Sequence, residues 1–150
     1  MDGCPFCAAF DRELLLYENE YAMVRLSEDW SVRGHAIVIS KRHVENLSEL
    51  DESERRAFLE TYARAEKLLL EATAADRAII LKLGLLVPHL HLHIYPIGRE
   101  VDRAQLFAMI EVRVRASITP EEKAAFIDEM RRRFSEETLH NRAKVPKLRA

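Results

Sequence analysis

The chain has only two cysteines among 150 residues, no marked excess of charge of either sign, and no apolar run approaching the ~20 residues that would cross a bilayer. Each shortage narrows the options. Lys plus Arg (23) nearly balances Asp plus Glu (25), so the net charge of −2 gives no general attraction to a nucleic acid polymer or an anionic membrane, while a nucleotide-sized ligand remains compatible. Met1-Asp2-Gly3-Cys4 lacks the charged start and apolar stretch of a signal peptide, and a cytoplasmic protein is the expectation. In such a reducing compartment, Cys4 and Cys7 at C-x-x-C spacing point to metal or redox chemistry rather than to a structural disulfide. No repeat or low-complexity segment is present. What remains is 48% hydrophobic sequence in one domain's worth of chain, enough to bury a core.

The order of elements predicts an α+β fold: an antiparallel sheet of about five strands packed with one main helix, plus a C-terminal helix. Leu14 to Glu18 and Tyr21 to Leu26 read as a hairpin around Asn19-Glu20. His35 to Ser40 is β-branched enough for a buried strand. From Asp51 to Ala72 the period becomes helical, with Phe58, Tyr62, Ala65 and Leu69 on one face. Asp51 and Glu54 stand at capping-box spacing for its start. Ala78 to Leu83 and His89 to Ile97 read as two further strands. Val101 to Ser117 fits helix through Leu106, Met109 and Ile110, and strand through Val112, Val114 and Ala116. Thr119-Pro120-Glu121-Glu122 opens a second helix expected to reach about Thr138. Residues 1–140 are thus expected to form one domain, and Asn141 to Ala150 a flexible basic tail.

Half of the six histidines fall in one run, Pro88-His89-Leu90-His91-Leu92-His93-Ile94-Tyr95-Pro96. On a strand, alternate side chains share a face. The imidazoles of His89, His91 and His93 therefore project together, and Leu90, Leu92 and Ile94 anchor the other side. Three imidazoles are costly to crowd unless something accepts their hydrogen bonds or charge, so chance clustering on a solvated face is the weaker explanation. Two chemistries use such a face. The imidazoles can ligate a metal, or one of them can attack phosphorus while neighbouring donors stabilise the charge that develops.

The His-apolar-His-apolar-His pattern resembles the signature of the histidine triad (HIT) superfamily of nucleotide hydrolases and transferases. The likeness extends upstream. Gly34 to His43 resembles the strand preceding the family's helix, and Cys4-Pro5-Phe6-Cys7 resembles the N-terminal zinc knuckle of many bacterial members. It covers about residues 4–97, leaving a C-terminal helical extension at about 119–138.

The resemblance implies that His91, the middle histidine, is the nucleophile that forms a covalent nucleotidyl-histidine with the α-phosphate of a dinucleoside polyphosphate or nucleoside phosphoramidate. Its second nitrogen would then be held by an acceptor, such as a backbone carbonyl. His93 and His35 would contact the phosphate oxygens or the leaving group. For a structural zinc, the resemblance implies Cys4, Cys7, His43 and His89 as ligands. It also implies a homodimer.

The segment before the triad departs from the family. Many members carry polar side chains there that contact phosphate, whereas Ile79 to Pro88 is nearly all apolar. A missing transition-state donor can cost ~3 kcal/mol. Lys82 is the side chain left to substitute as a substrate-binding group, together with backbone N–H groups. This departure keeps open an unusual substrate, or a zinc-stabilised nucleotide-binding protein with little or no turnover. A catalytic metal held by the triad itself is the weakest alternative, because no carboxylate lies in or beside the run.

Overall fold

The computed structural model describes residues 3–8, 12–28, 30–111 and 118–144. Five strands, β1 (Leu15–Glu18), β2 (Ala22–Leu26), β3 (Ala36–Ser40), β4 (Arg77–Leu81) and β5 (His91–Ile97), form one sheet in the order β1-β2-β3-β5-β4. Every neighbouring pair is antiparallel. Helix α1 (Glu52–Thr73) connects β3 to β4, and α2 (Arg103–Glu111) and α3 (Pro120–Lys144) follow β5. The expected α+β architecture is the observed one. No helix among the described residues is long and apolar enough to cross a membrane.

The two faces of the sheet divide the labour. On one, Val24, Leu26, Val38, Leu92 and Ile94 join Phe58, Ala65 and Leu69 of α1 in the main core. On the other, coverage is in two patches. Met23, Ile37 and Ile39 pack with Phe6 of the N-terminal segment, while Tyr95, Ile97 and Val32 pack with Leu106, Met109 and Ile110 of α2. The helical option for 103–111 is thus realised because the same apolar positions have a sheet edge to cover. Residues 112–117, which carry the alternating Val112 and Val114, lie outside the described residues.

Both helix starts form as their sequences predict. Asp51 accepts from the Glu54 amide at 2.9 Å, and Glu54 accepts from the Asp51 amide at 3.0 Å. Thr119 and Glu122 repeat the exchange at 3.1 and 2.9 Å. Helix α3 runs past Thr138 to Lys144, beyond the expected end; residues 145–150, most of the expected tail, lie outside the described residues. Its Phe126, Ile127, Met130 and Phe134 enter the main core. Arg64 of α1 ties it down through Glu137, the Phe134 carbonyl and Thr138 at 2.8–3.0 Å, with its guanidinium 4.6 Å from the centre of the Tyr17 ring.

Gly34, just before β3, has φ +80°, and a Cβ there would meet Thr73 at 2.7 Å. Only glycine fits this approach of the chain to the end of α1, so Gly34 sets where His35 enters the sheet.

Candidate active site and metal cluster

Strand register brings the histidines together. His93 pairs with Ile37 and His91 with Ile39, on the face away from α1. His35, immediately before β3, reaches His93 with Nε2 2.9 Å from Nδ1 and stacks on Tyr95 with ring centres 4.0 Å apart. Burial above all, then the neighbouring His35 and His91, pulls the His93 pKa down to about 3. That ring is therefore neutral at pH 7.

His91 Nδ1 lies 2.6 Å from the His89 carbonyl oxygen. A carbonyl only accepts, so Nδ1 carries a proton, and in the neutral ring Nε2 keeps its lone pair. The expectation of a backbone acceptor behind this ring is met. Phe6 sets its ring at an angle to His91, with centres 5.1 Å apart.

His91, His93 and His35 line a cavity of about 570 Å³ on this face. Arg25, Ser27 and Glu28 line it on the β2 side, and the segment 83–87 lines it beside β5. Arg25 is buried and ion-paired with Glu28 at 3.0 Å.

A second cluster adjoins the first. The Cys4 carbonyl accepts from the amides of Cys7 and Ala8, a turn that gathers the two thiols. The Leu90 amide donates to the Val44 carbonyl, which holds His43 beside His89. His89 Nδ1 is then 3.4 Å from Cys4 Sγ, 3.5 Å from Cys7 Sγ and 3.2 Å from His43 Nδ1, and Cys7 Sγ is 3.1 Å from His43 Nδ1. A tetrahedral zinc has ligand edges of about 3.3 Å between nitrogens and about 3.6 Å between nitrogen and sulfur. These separations come within about half an ångström of that geometry, all four donor atoms lie within 4.8 Å of one another, and the group could hold a metal. His89 Nε2 donates to the Ser40 carbonyl at 2.7 Å, which fixes Nδ1 as its free lone pair. Burial lowers the His89 pKa, favouring the neutral, ligating form.

A family profile described as HIT domain matches residues 11–100. The chain belongs to the HIT family. An uncharacterized HIT-like protein of Methanocaldococcus jannaschii is 26% identical over 100 residues, 62% of this chain and 78% of the relative. Among solved structures, the chain is similar to a hypothetical histidine triad nucleotide-binding protein from Sulfolobus tokodaii, with 26% identity and a TM-score of 0.69 over 89% of this chain and 93% of the other. It also shares its fold with a zinc-bound histidine triad family protein from Mycobacterium smegmatis, at 20% identity and TM-score 0.66 over 92% and 97% of the two chains. HIT membership supports a function of the nucleotide hydrolase or transferase kind in general.

Of the residues picked out from sequence, this HIT protein brings together His35, His91 and His93 in one group and Cys4, Cys7, His43 and His89 in the other. Lys82 joins neither. It is exposed, outside the residues lining the cavity, and its ammonium donates to Asn46 Oδ1 at 3.1 Å. Arg25, Ser27, Glu28 and Phe6 were not anticipated as lining residues. Arg25 carried a signal, since it is the one charge in Ala22-Met23-Val24-Arg25-Leu26 and alternates with core positions. Recognising it required the register, which puts Arg25 across Ile37 from His93.

Proposed function

We propose that this protein is a nucleotidyl hydrolase or transferase that cleaves the α-phosphate linkage of a nucleoside phosphate derivative through a covalent intermediate on His91. The observation that carries this reading is the 2.6 Å contact from His91 Nδ1 to the His89 carbonyl, which leaves an unprotonated Nε2 in the cavity.

The Nε2 lone pair attacks phosphorus and a nitrogen–phosphorus bond forms. The bond from phosphorus to the leaving oxygen or nitrogen breaks, its electron pair going to the departing group, which takes up a proton. Water then attacks the nucleotidyl-histidine, the nitrogen–phosphorus bond returns its pair to His91, and a nucleoside monophosphate departs with loss of the water proton. In the tautomer where His35 Nε2–H donates to His93 Nδ1, His93 retains Nε2–H to donate to a phosphate oxygen or to the leaving atom.

Cys4, Cys7, His43 and His89 would hold a structural zinc. When bound, it supplies a cross-link between the N-terminal segment and the strand bearing the nucleophile, with no open position for substrate. A homodimer in the cytoplasm belongs to the same reading, and light scattering checks the stoichiometry.

The test is incubation with an adenosine phosphoramidate or a dinucleoside polyphosphate, followed by intact mass measurement. A nucleotidyl adduct that forms on the native chain and is lost in His91→Ala is expected. The apolar segment 83–87 favours a second reading, a zinc-stabilised nucleotide-binding protein with little turnover. Tight nucleotide binding with neither adduct nor product would select it. Chelator-sensitive turnover that persists in His91→Ala would instead point to metal catalysis.

A further inference from the structure

The two ends of the cavity differ in chemistry. Strand order puts β3 and β5, with His35, His91 and His93, between the flank formed by β2 and the flank formed by the connection from β4 to β5. On the β2 flank stand Arg25, Ser27 and Glu28, which can donate to and accept from sugar hydroxyls and a base. On the other flank stand Leu83, Gly84, Leu85, Leu86 and Val87, with no polar side chain among them.

These leucines do not serve the core. Leu83 is 53% exposed, Leu85 84% and Leu86 81%, so they meet water at the rim of the cavity that holds the triad. Large apolar groups left this exposed beside a ligand cavity are a binding feature more often than an accident. Among the described lining residues the only cation is Arg25, on the opposite flank and already paired with Glu28. Lys82, the nearest lysine in sequence to the segment, is bonded to Asn46 outside the cavity. A leaving group carrying further phosphates would therefore find hydrocarbon where it needs charge.

We propose that the leaving group of this enzyme's substrate is apolar: a nucleoside 5′-phosphoramidate or phosphoester whose departing amine or alcohol carries a hydrocarbon portion that packs on Leu83, Leu85 and Leu86. The inference rests on the nucleotidyl-histidine reading given above and names the substrate class of that same site. The nucleoside occupies the β2 flank, phosphorus faces His91, and the departing chain lies against the 83–87 segment. The step balances as before. His91 forms its bond to phosphorus, the phosphorus–nitrogen or phosphorus–oxygen bond breaks toward the amine or alcohol, and the departing atom takes one proton.

The test compares adenosine 5′-phosphoramidates of ethylamine and hexylamine, whose amines are nearly equal in basicity, with diadenosine triphosphate as the charged alternative. Each fully buried methylene is worth about fourfold, so four partly buried ones predict at least about tenfold higher kcat/KM for the hexyl compound. In Leu85→Gln/Leu86→Ser that preference should fall to within about threefold of unity, and diadenosine triphosphate should improve relative to the hexyl compound. Both positions are more than 80% exposed, so the double variant keeps its core intact.

Equal rates for ethyl and hexyl compounds, with the adduct on His91 still forming, would overturn this inference and leave the catalytic reading standing. Failure of every substrate to give adduct or product would overturn the catalytic reading, and this one with it. If the double variant keeps the hexyl preference and instead changes the oligomeric state, the leucines belong to a contact between copies and the proposal is overturned.

Discussion

The imidazole of His91 and the main chain of His89 are joined by a 2.6 Å hydrogen bond, and the ring of that same His89 faces Cys4, Cys7 and His43. One residue thus belongs to both clusters, its carbonyl holding Nδ1 of His91 and its ring completing the group of four that could hold a metal. Anything that reorients His89 must reach Nε2 of His91.

Metal removal tests this coupling. The native protein should bind one zinc per chain by elemental analysis, and Cys4→Ser/Cys7→Ser should bind none and melt at lower temperature. The ring of His89 then loses its partners while its carbonyl still backs His91, and a drop in activity of about 10- to 100-fold, the size seen when groups orienting a site are removed, is expected in the double variant. His91→Ala should keep its zinc. Loss of metal from His91→Ala would place the ion on the triad instead.

Stability should fall in acid through His93. Its folded pKa is about 3 against an ordinary 6.5, so below 6.5 the unfolded chain takes up a proton that the folded chain refuses. The contribution is intact above pH 6.5 and lost progressively as pH falls toward 3, with a slope approaching ~1.4 kcal/mol per pH unit. Urea titrations between pH 7 and 4 measure it, and His93→Gln should flatten the slope relative to the native chain.

Arg64 holds α3 onto α1 and β1 with three hydrogen bonds and a ring contact, and its side chain is mostly buried beside Glu137. Arg64→Ala should cost about 2 kcal/mol, because it removes three hydrogen bonds and leaves the mostly buried Glu137 with only the Lys67 ammonium, 3.4 Å away. Arg64→Lys should recover only part of this, since one ammonium cannot reproduce the planar fork. Denaturant midpoints decide between these values and a negligible effect.

Helix α1 ends at Ala74 in the left-handed conformation, φ 53° and ψ 31°, with its amide bonded to the Leu70 carbonyl. A Cβ is unfavourable there by about 1 kcal/mol. Ala74 is exposed, so Ala74→Gly should raise stability by up to about 1 kcal/mol and leave nucleotide binding unchanged. A lower midpoint would contradict it.

Local pattern made much of this molecule readable. Alternation of His with Leu and Ile marked both the strand and the face on which His91 and His93 lie, although the strand expected from His89 begins at His91. Asp51 with Glu54 and Thr119 with Glu122 marked helix starts through bonds made within four residues. What escaped depends on partners distant in the chain. Arg25 enters the cavity only through pairings of β2 with β3 and of β3 with β5. Lys82 looked suitable from its place before the triad, but Asn46 takes its ammonium. Between Val101 and Ser117 local pattern is divided, Leu106, Met109 and Ile110 suiting a helix and Val112, Val114 and Ala116 a strand; packing of the first three with Tyr95 and Ile97 accompanies the helix at 103–111, and 112–117 lie outside the described residues.

Leu90, Leu92 and Ile94 are rooted in the main core while His91 and His93 open on the cavity. One residue inserted or deleted inside β5 would therefore turn the strand inside out, driving imidazoles into the oily layer under α1 and presenting leucines to the cavity. In the connection ahead of it, by contrast, an added residue would change the rim of the cavity and not the frame of the strand.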